Sequence, residues 1–162
     1  MTTRVAIKTG DGIFFASFSE RGLAQLGFPG RSRVSETETN DSSANQRSWI
    51  ELTTTALKQV LAGRNPGRLP PLDWTGATEF RQATWKALLR IAPGHTKTYG
   101  QIARELGRPL AVRAVGGACG ANPIPVLVPC HRVVAAGGAI GGFSGGLDWK
   151  RRLLAREGVE IK

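Results

Sequence analysis

The stretch TYGQIARELGRPLAVRAVGGACG, Thr98 to Gly120, holds two helix patterns in immediate succession. Thr98 followed by Gln101 is a capping-box signal, in which two side chains satisfy backbone groups at a helix start. Ile102, Ala103 and Leu106 recur at helical spacing as far as Gly107. Pro109 suits the first turn of a second helix, since its φ is preset and its missing N–H is not needed there, and that helix runs to about Gly120. Two short helices joined by Gly107-Arg108-Pro109 have the proportions of a helix-turn-helix.

Projected at about 100° per residue, the second helix places Ala111, Ala114, Val115 and Ala118 on an apolar side, with Val112 and Cys119 at its edge. Opposite lie Gly116, Gly117 and Gly120 with one large side chain, Arg113. Each glycine costs a helix roughly 1 kcal/mol against alanine, so a face stripped of side chains needs a reason. Close approach of another backbone supplies it, either a neighbouring helix or a nucleic acid. The isolated arginine fits the nucleic acid better.

Downstream, an apolar run from Val126 to Val134 is interrupted by Pro129-Cys130-His131-Arg132. A thiolate is a strong nucleophile, and a neighbouring imidazole or guanidinium favours it, although a buried cysteine beside a turn histidine satisfies the same pattern. Residues 135–146 then carry six glycines, which forbid a regular strand and let the backbone face a ligand. A last helix, about Leu147 to Arg156, turns Leu153 and Leu154 inward and shows Lys150, Arg151 and Arg152 as a basic cluster before Glu157-Gly158. Cys119, Cys130, His95 and His131 lack zinc-site spacing, so no metal site is read.

Upstream, Phe80, Thr84, Ala87, Leu88 and Ile91 trace a helix face ending at Pro93-Gly94. Residues 3–9 alternate, Gly10-Asp11-Gly12 turns the chain into a second strand, and Leu23 to Phe28 gives a third, an antiparallel meander. Residues 31–47 read as a mobile polar loop, and Ser48 to Glu51 as the capping box of a helix carrying Trp49, Leu52, Ala56, Leu57, Val60 and Leu61. Three prolines and two glycines make 63–75 a linker. The chain thus divides into an N-terminal domain, 1–75, and a C-terminal domain, 76–162.

Charge divides the same way. Of the 22 Lys/Arg and 12 Asp/Glu, residues 1–75 hold nine and seven, whereas residues 76–162 hold thirteen and five. A polyanion partner for the second half is expected, nucleic acid ahead of a membrane surface because no basic amphipathic stripe occurs. No signal-peptide segment and no long apolar run are present, which predicts a cytoplasmic protein.

Taken together, Trp85-Lys86-Ala87-Leu88, Thr98-Tyr99-Gly100, Arg113-Ala114-Val115-Gly116, Asn122-Pro123, Pro129 to Val134, Ser144-Gly145-Gly146-Leu147 and Glu157-Gly158 closely resemble the O6-alkylguanine-DNA alkyltransferases, or methylated-DNA–protein-cysteine methyltransferases. The resemblance implies an α/β two-domain fold: a small antiparallel sheet with a helix, RNase H-like, before a mostly helical domain resembling a winged helix-turn-helix. It implies a protein that flips a damaged nucleotide out of double-stranded DNA and moves the alkyl group of O6-alkylguanine, and of O4-alkylthymine, irreversibly to Cys130, once and without a cofactor.

By the same resemblance His131 acts as base through a bridging water and Glu157 orients it. Tyr99 donates to guanine N3 and Ser144 bonds O6. The carbonyls of Cys130 and Val133 receive the exocyclic amine, and Asn122 ties the recognition helix to the active segment. Arg113 fills the vacated base stack, while Ala114, Gly116, Gly117 and Gly120 line the minor groove. Phe143 stands where many members have tyrosine. The partner is DNA containing alkylated guanine, with no membrane, and the protein a monomer for which cooperative binding stays open. A non-catalytic alkylated-base-binding protein and a cysteine hydrolase are the alternatives. No role follows for Arg132, and Cys119 reads as a packed thiol.

Overall fold

The computed structural model describes residues 2–31 and 43–161. Alternating side chains and tight turns build the first layer. Strands β1 (Thr3–Thr9), β2 (Gly12–Ser19) and β3 (Gly22–Gly27) form an antiparallel sheet in the order β1-β2-β3, with Thr9 opposite Gly12 across the first turn. One face, with Ile7, Phe14, Ala16, Phe18, Leu23 and Leu26, is buried.

Helix α1 (Ala44–Leu61) covers that sheet through Ala56, Leu57, Val60 and Leu61. It is capped by Ser43, upstream of the Ser48 cap that the sequence predicts. Ser43 and Gln46 offer the equivalent S-x-x-Q signal upstream, and the Ser43 side chain accepts from the Gln46 backbone N–H at 3.2 Å. Gln46 turns inward instead of closing the box: its amide donates to Ser19 O and its oxygen accepts from Thr3. The loop predicted over 31–47 is therefore helical from residue 44, and residues 32–42 lie outside the described residues.

Segment 63–75 is irregular but fastened. Leu72 bridges Leu23 in parallel, Leu23 N–H donates to Pro71 O, and Asp73 N–H donates to Leu23 O. Gly22, at φ 147°, permits this approach, since a Cβ there would meet Pro71 O at 2.2 Å.

Helices α2 (Glu79–Leu89), α3 (Tyr99–Glu105), α4 (Val112–Gly120) and α5 (Leu147–Arg156) make the second half. Both halves of the Thr98–Gln101 capping box form. Pro109 lies outside α4, in a turn where Ala111 N–H reaches Arg108 O, so the helix begins at Val112 rather than at the proline. The indole of Trp85 on α2 donates to Ala118 O at 2.8 Å and holds α4 in place.

The segment before Cys130 is not the continuous strand its apolar residues suggest. Val126 takes φ 74°, Cys130–Arg132 forms a 3-10 turn, and only β5 (Val133–Val134) is extended, parallel to β4 (Lys97–Thr98). This short pair sets Tyr99, the first residue of α3, across from the Cys130 turn.

One apolar core runs from the sheet through α1, α2 and α4 to Leu153 of α5. Arg156 joins the halves at the far end by bonding both Asp11 oxygens and Leu61 O. No helix among the described residues is long and apolar enough to cross a membrane.

Candidate active site

Cys130 opens the 3-10 turn and is 3% exposed, with its side chain on a cavity of about 120 Å³. Tyr99, Gly116, Cys119, Gly120, Gly142, Phe143 and Ser144 complete the lining. Small-molecule pockets run from roughly 300 Å³ upward, so this one admits little more than one flat group. Residues that sequence placed on three separate segments thus meet around one thiol.

The turn is fixed from beneath. The Asn122 amide donates to Val128 O at 2.8 Å and its oxygen accepts from Ile124 N–H at 2.9 Å, closing the loop that delivers Cys130. Behind it, Arg132 donates Nε and Nη2 to the two oxygens of Glu157 at 2.9 and 2.8 Å, and Nη1 to Ile91 O at 2.6 Å. A bidentate, nearly water-free pair of this kind fixes direction as well as distance. Arg132, which the sequence left without a role, therefore clamps the turn to the ends of α2 and α5.

His131 is fully buried and its Nε2 lies 3.1 Å from Glu157 Oε2. Burial lowers its pKa against the opposing pull of Glu157, so the ring is neutral near pH 7. An ionised carboxylate only accepts, so Nε2 carries the proton and Nδ1 the lone pair. Nδ1 has no hydrogen-bond partner among the described residues. The ring is poised to take a proton, and Glu157 is poised to balance the resulting charge. Burial raises the Glu157 carboxyl, but hydrogen bonds from Arg132 and His131 outweigh it and bring the value to about 2.

Burial also pushes the Cys130 thiol up to about 11, opposed by a hydrogen bond from Asn122 and by the Lys150 ammonium. The resting sulfur is protonated and must lose its proton when it reacts. Cys130 and His131 sit on a 3-10 turn rather than in the extended segment that the apolar run from Val126 to Val134 suggests.

The opposite wall is the glycine-rich segment 135–146. Gly142 N–H donates to the Tyr99 hydroxyl at 3.3 Å, and burial raises the Tyr99 pKa, keeping the phenol protonated. Gly141 takes φ 72° where a Cβ would lie 2.8 Å from the Tyr99 oxygen, so the loop's approach requires glycine. Phe143 meets Phe28 edge-on at 5.7 Å, and Phe28 packs on Trp149 at 5.1 Å. Arg31 donates to Ser144 O at 2.9 Å. The N-terminal sheet thereby supports the second wall, through residues that no motif marks.

Lys150 corrects a sequence expectation. It is not part of a surface cluster: it is fully buried, and its ammonium donates to Val133 O at 2.6 Å and Gly142 O at 2.9 Å. Helical spacing held the signal, since Lys150 falls three and four residues before the buried Leu153 and Leu154. Val133 O, expected to face a purine amine, already accepts this bond; a carbonyl retains a second lone pair.

Along α4, Val115, Ala118 and Cys119 are buried, whereas Arg113, Ala114, Gly117 and Gly120 are exposed and Gly116 is half-buried. Ala114 thus belongs to the open face, not to the apolar side the projection gave it. A Cβ built on Gly116, Gly117 or Gly120 would meet nothing within 4 Å. No neighbouring element packs on the bare face among the described residues, which removes the internal explanation for its glycines. No group of three or more His, Cys, Asp or Glu side chains among the described residues is placed to hold a metal.

Residues 79–159 match the family model described as 6-O-methylguanine DNA methyltransferase, DNA binding domain. The methylated-DNA–protein-cysteine methyltransferase of Mycobacterium tuberculosis is 54% identical over 86 residues, 53% of this chain and 52% of that protein. The match thus spans about half the length of that relative. The Methanosarcina acetivorans protein of the same name is 39% identical over 140 residues, 86% of this chain and 87% of its own. Among solved structures, Mycobacterium tuberculosis OGT in complex with DNA aligns with a TM-score of 0.74 and 36% identity, covering 94% of this chain and 90% of that one.

Proposed function

The chain belongs to the 6-O-methylguanine DNA methyltransferase family, and from that premise we propose that it repairs DNA by moving an alkyl group from guanine O6 to Cys130. The observation that carries this reading is a buried thiol facing a one-base cavity, backed by a neutral His131 whose other nitrogen rests on an ionised Glu157.

The lesion's O6 is hidden inside a duplex, so the nucleotide must leave the stack, at a cost of a few kcal/mol. Helix α4 is shaped for that task. Its glycine face approaches the minor groove, where sequence is read poorly, and Arg113 fills the space that the base vacates. In the cavity, Tyr99 donates to the purine N3, Ser144 faces O6, and the Cys130 and Val133 carbonyls receive the exocyclic amine.

His131 Nδ1 takes the thiol proton through a bridging water, and the sulfur then attacks the alkyl carbon. The S–C bond forms as the C–O6 bond breaks, and that electron pair stays with guanine, where the Tyr99 hydroxyl offsets the developing charge. The product is a thioether on a saturated carbon. Nothing in the site makes that sulfur a leaving group, so each chain acts once.

Incubation with a duplex containing O6-methylguanine, followed by peptide mass analysis, tests this reading. The expected result is one added methyl group on the Cys130 peptide, lost in Cys130→Ala with duplex binding retained. An unmodified protein that still binds the lesion would instead be a damage-recognition protein, and turnover of an ester or amide would make it a hydrolase.

A further inference from the structure

Beside the base cavity lies a second hollow that the chemistry above does not use. It is an open groove of about 590 Å³, walled by the start of α3 and Val112 of α4 on one side and by Ala135, Ala136 and Gly137 on the other. Tyr99 lines both hollows and is therefore the partition between them. Among the described residues that line the groove, Arg104 alone is charged.

Arg104 stands one helical turn after Gly100, on the same face of α3. A Cβ built on Gly100 would lie 3.9 Å from Arg104 Nη1, so the guanidinium lies back over the bare first turn of the helix. It makes no hydrogen bond or ion pair among the described residues, and the neighbouring carboxylate, Glu105, is taken by Lys97. A permanent charge with five donors is thus open in a groove that holds no acid.

The position of the groove indicates its occupant. A nucleotide whose base enters the cavity leaves its sugar and flanking phosphates at the rim, and on the Tyr99 side that rim opens into the groove. Val112 directly precedes Arg113, so a duplex lying on the bare face of α4 continues over the same groove. Ala136 and Gly137 on the far wall are small and exposed, which leaves room for a strand.

Resting on the base-flipping reading, we propose that the groove seats a phosphodiester flanking the flipped nucleotide and that Arg104 binds it, a DNA-positioning residue that holds the strand while the base occupies the cavity. Guanidinium and phosphate pair through two parallel hydrogen bonds, which fixes orientation as well as distance. Contacts of this kind set register without reading sequence, in keeping with the sequence-tolerant face of α4.

Crossing one side chain with one phosphate tests the placement. Binding is measured in a Cys130→Ala background, where no transfer disturbs the equilibrium, on duplexes in which a neutral methylphosphonate replaces one phosphate at a time around O6-methylguanine. Cys130→Ser serves the same purpose should the alanine variant not fold. With Arg104 present, neutralising one of the two linkages that flank the lesion lowers affinity about tenfold. In Arg104→Gln that linkage no longer matters, while the others act as before. On the unmodified lesion duplex, Arg104→Gln also reduces the slope of log affinity against log salt by about 0.9, the contribution of one phosphate, and Arg104→Lys restores it.

An Arg104→Gln protein that binds like its parent at every salt concentration would overturn the proposal, as would equal sensitivity of the two proteins to each neutral linkage. A reduced slope with the Arg104-dependent linkage remote from the lesion would overturn the placement in this groove. Wild-type protein that gains no methyl group would count against alkyl transfer instead, and the phosphate cross would still judge Arg104.

Discussion

The two walls of the cavity are built on different principles. The thiol wall, 122–134 with Glu157, is over-determined: Asn122 closes its loop, Arg132 makes three hydrogen bonds, and His131 sits fully buried on an ionised carboxylate. The glycine-rich wall, 139–146, has no regular secondary structure and is held by a few contacts from elsewhere, namely Lys150, Tyr99, Arg31 and Phe28. Proton transfer demands fixed geometry, whereas a flat base must pass an entrance. On the proposed function, the more heavily bonded wall carries the chemistry and the wall without regular secondary structure faces the incoming base.

Removing the clamp of the rigid wall has the largest effect. Arg132→Met leaves Glu157 buried without its main partner, so stability falls by about 3–5 kcal/mol in urea unfolding and transfer is lost. A loss under 1 kcal/mol would show that the thiol wall does not depend on this pair.

Acid attacks the same wall. The Glu157 carboxyl titrates at about 2 in the folded protein against an ordinary 4.5. A depressed carboxyl stabilises fully above its unfolded value and loses that contribution as pH falls toward 2. His131, also lowered, adds a loss beginning as pH falls below 6.5. Together they predict an acid decline of about 3 kcal/mol or more from these groups, most of it between pH 4.5 and 2. In Glu157→Gln that lower part of the decline flattens, which unfolding measured across pH would reveal.

The compliant wall responds differently. Phe143→Ala removes the edge contact with Phe28 and costs about 1 kcal/mol of stability. Transfer slows by about tenfold because the wall loses its seat. If stability fell by as much as in Arg132→Met, the contrast between the walls would fail. The smallest effect is expected outside both. Gly117→Ala has open space around its new methyl group and gains up to about 1 kcal/mol of helix stability. Duplex affinity weakens nonetheless if the bare face meets DNA as proposed; unchanged affinity would detach that face from binding.

Legibility follows the same division. The turn of Pro129 to Val134, the capping box at Thr98 and the glycine face of α4 were readable because each combines unusual residues at short spacing. Sheet and helix order were readable from periodicity. What sequence hid was long-range pairing. The Arg132–Glu157 bond spans 25 residues, and Arg31 reaches Ser144 across 113. Lys150 reads as a surface residue because lysine usually is one, and only its position on a buried helical stripe says otherwise. The start of α1 differs from the expected one because two S-x-x-[QE] signals, at Ser43 and Ser48, follow closely and the structure uses the first.

The rigid thiol wall is proposed to act once. A direct measure is methyl transfer from a tenfold excess of duplex carrying labelled O6-methylguanine, followed to completion. The account predicts a plateau at one methyl group per chain, all of it on Cys130, with the repaired guanine formed in equal amount. Repair continuing past one equivalent, or label found on Cys119 with Cys130 unmodified, would contradict it.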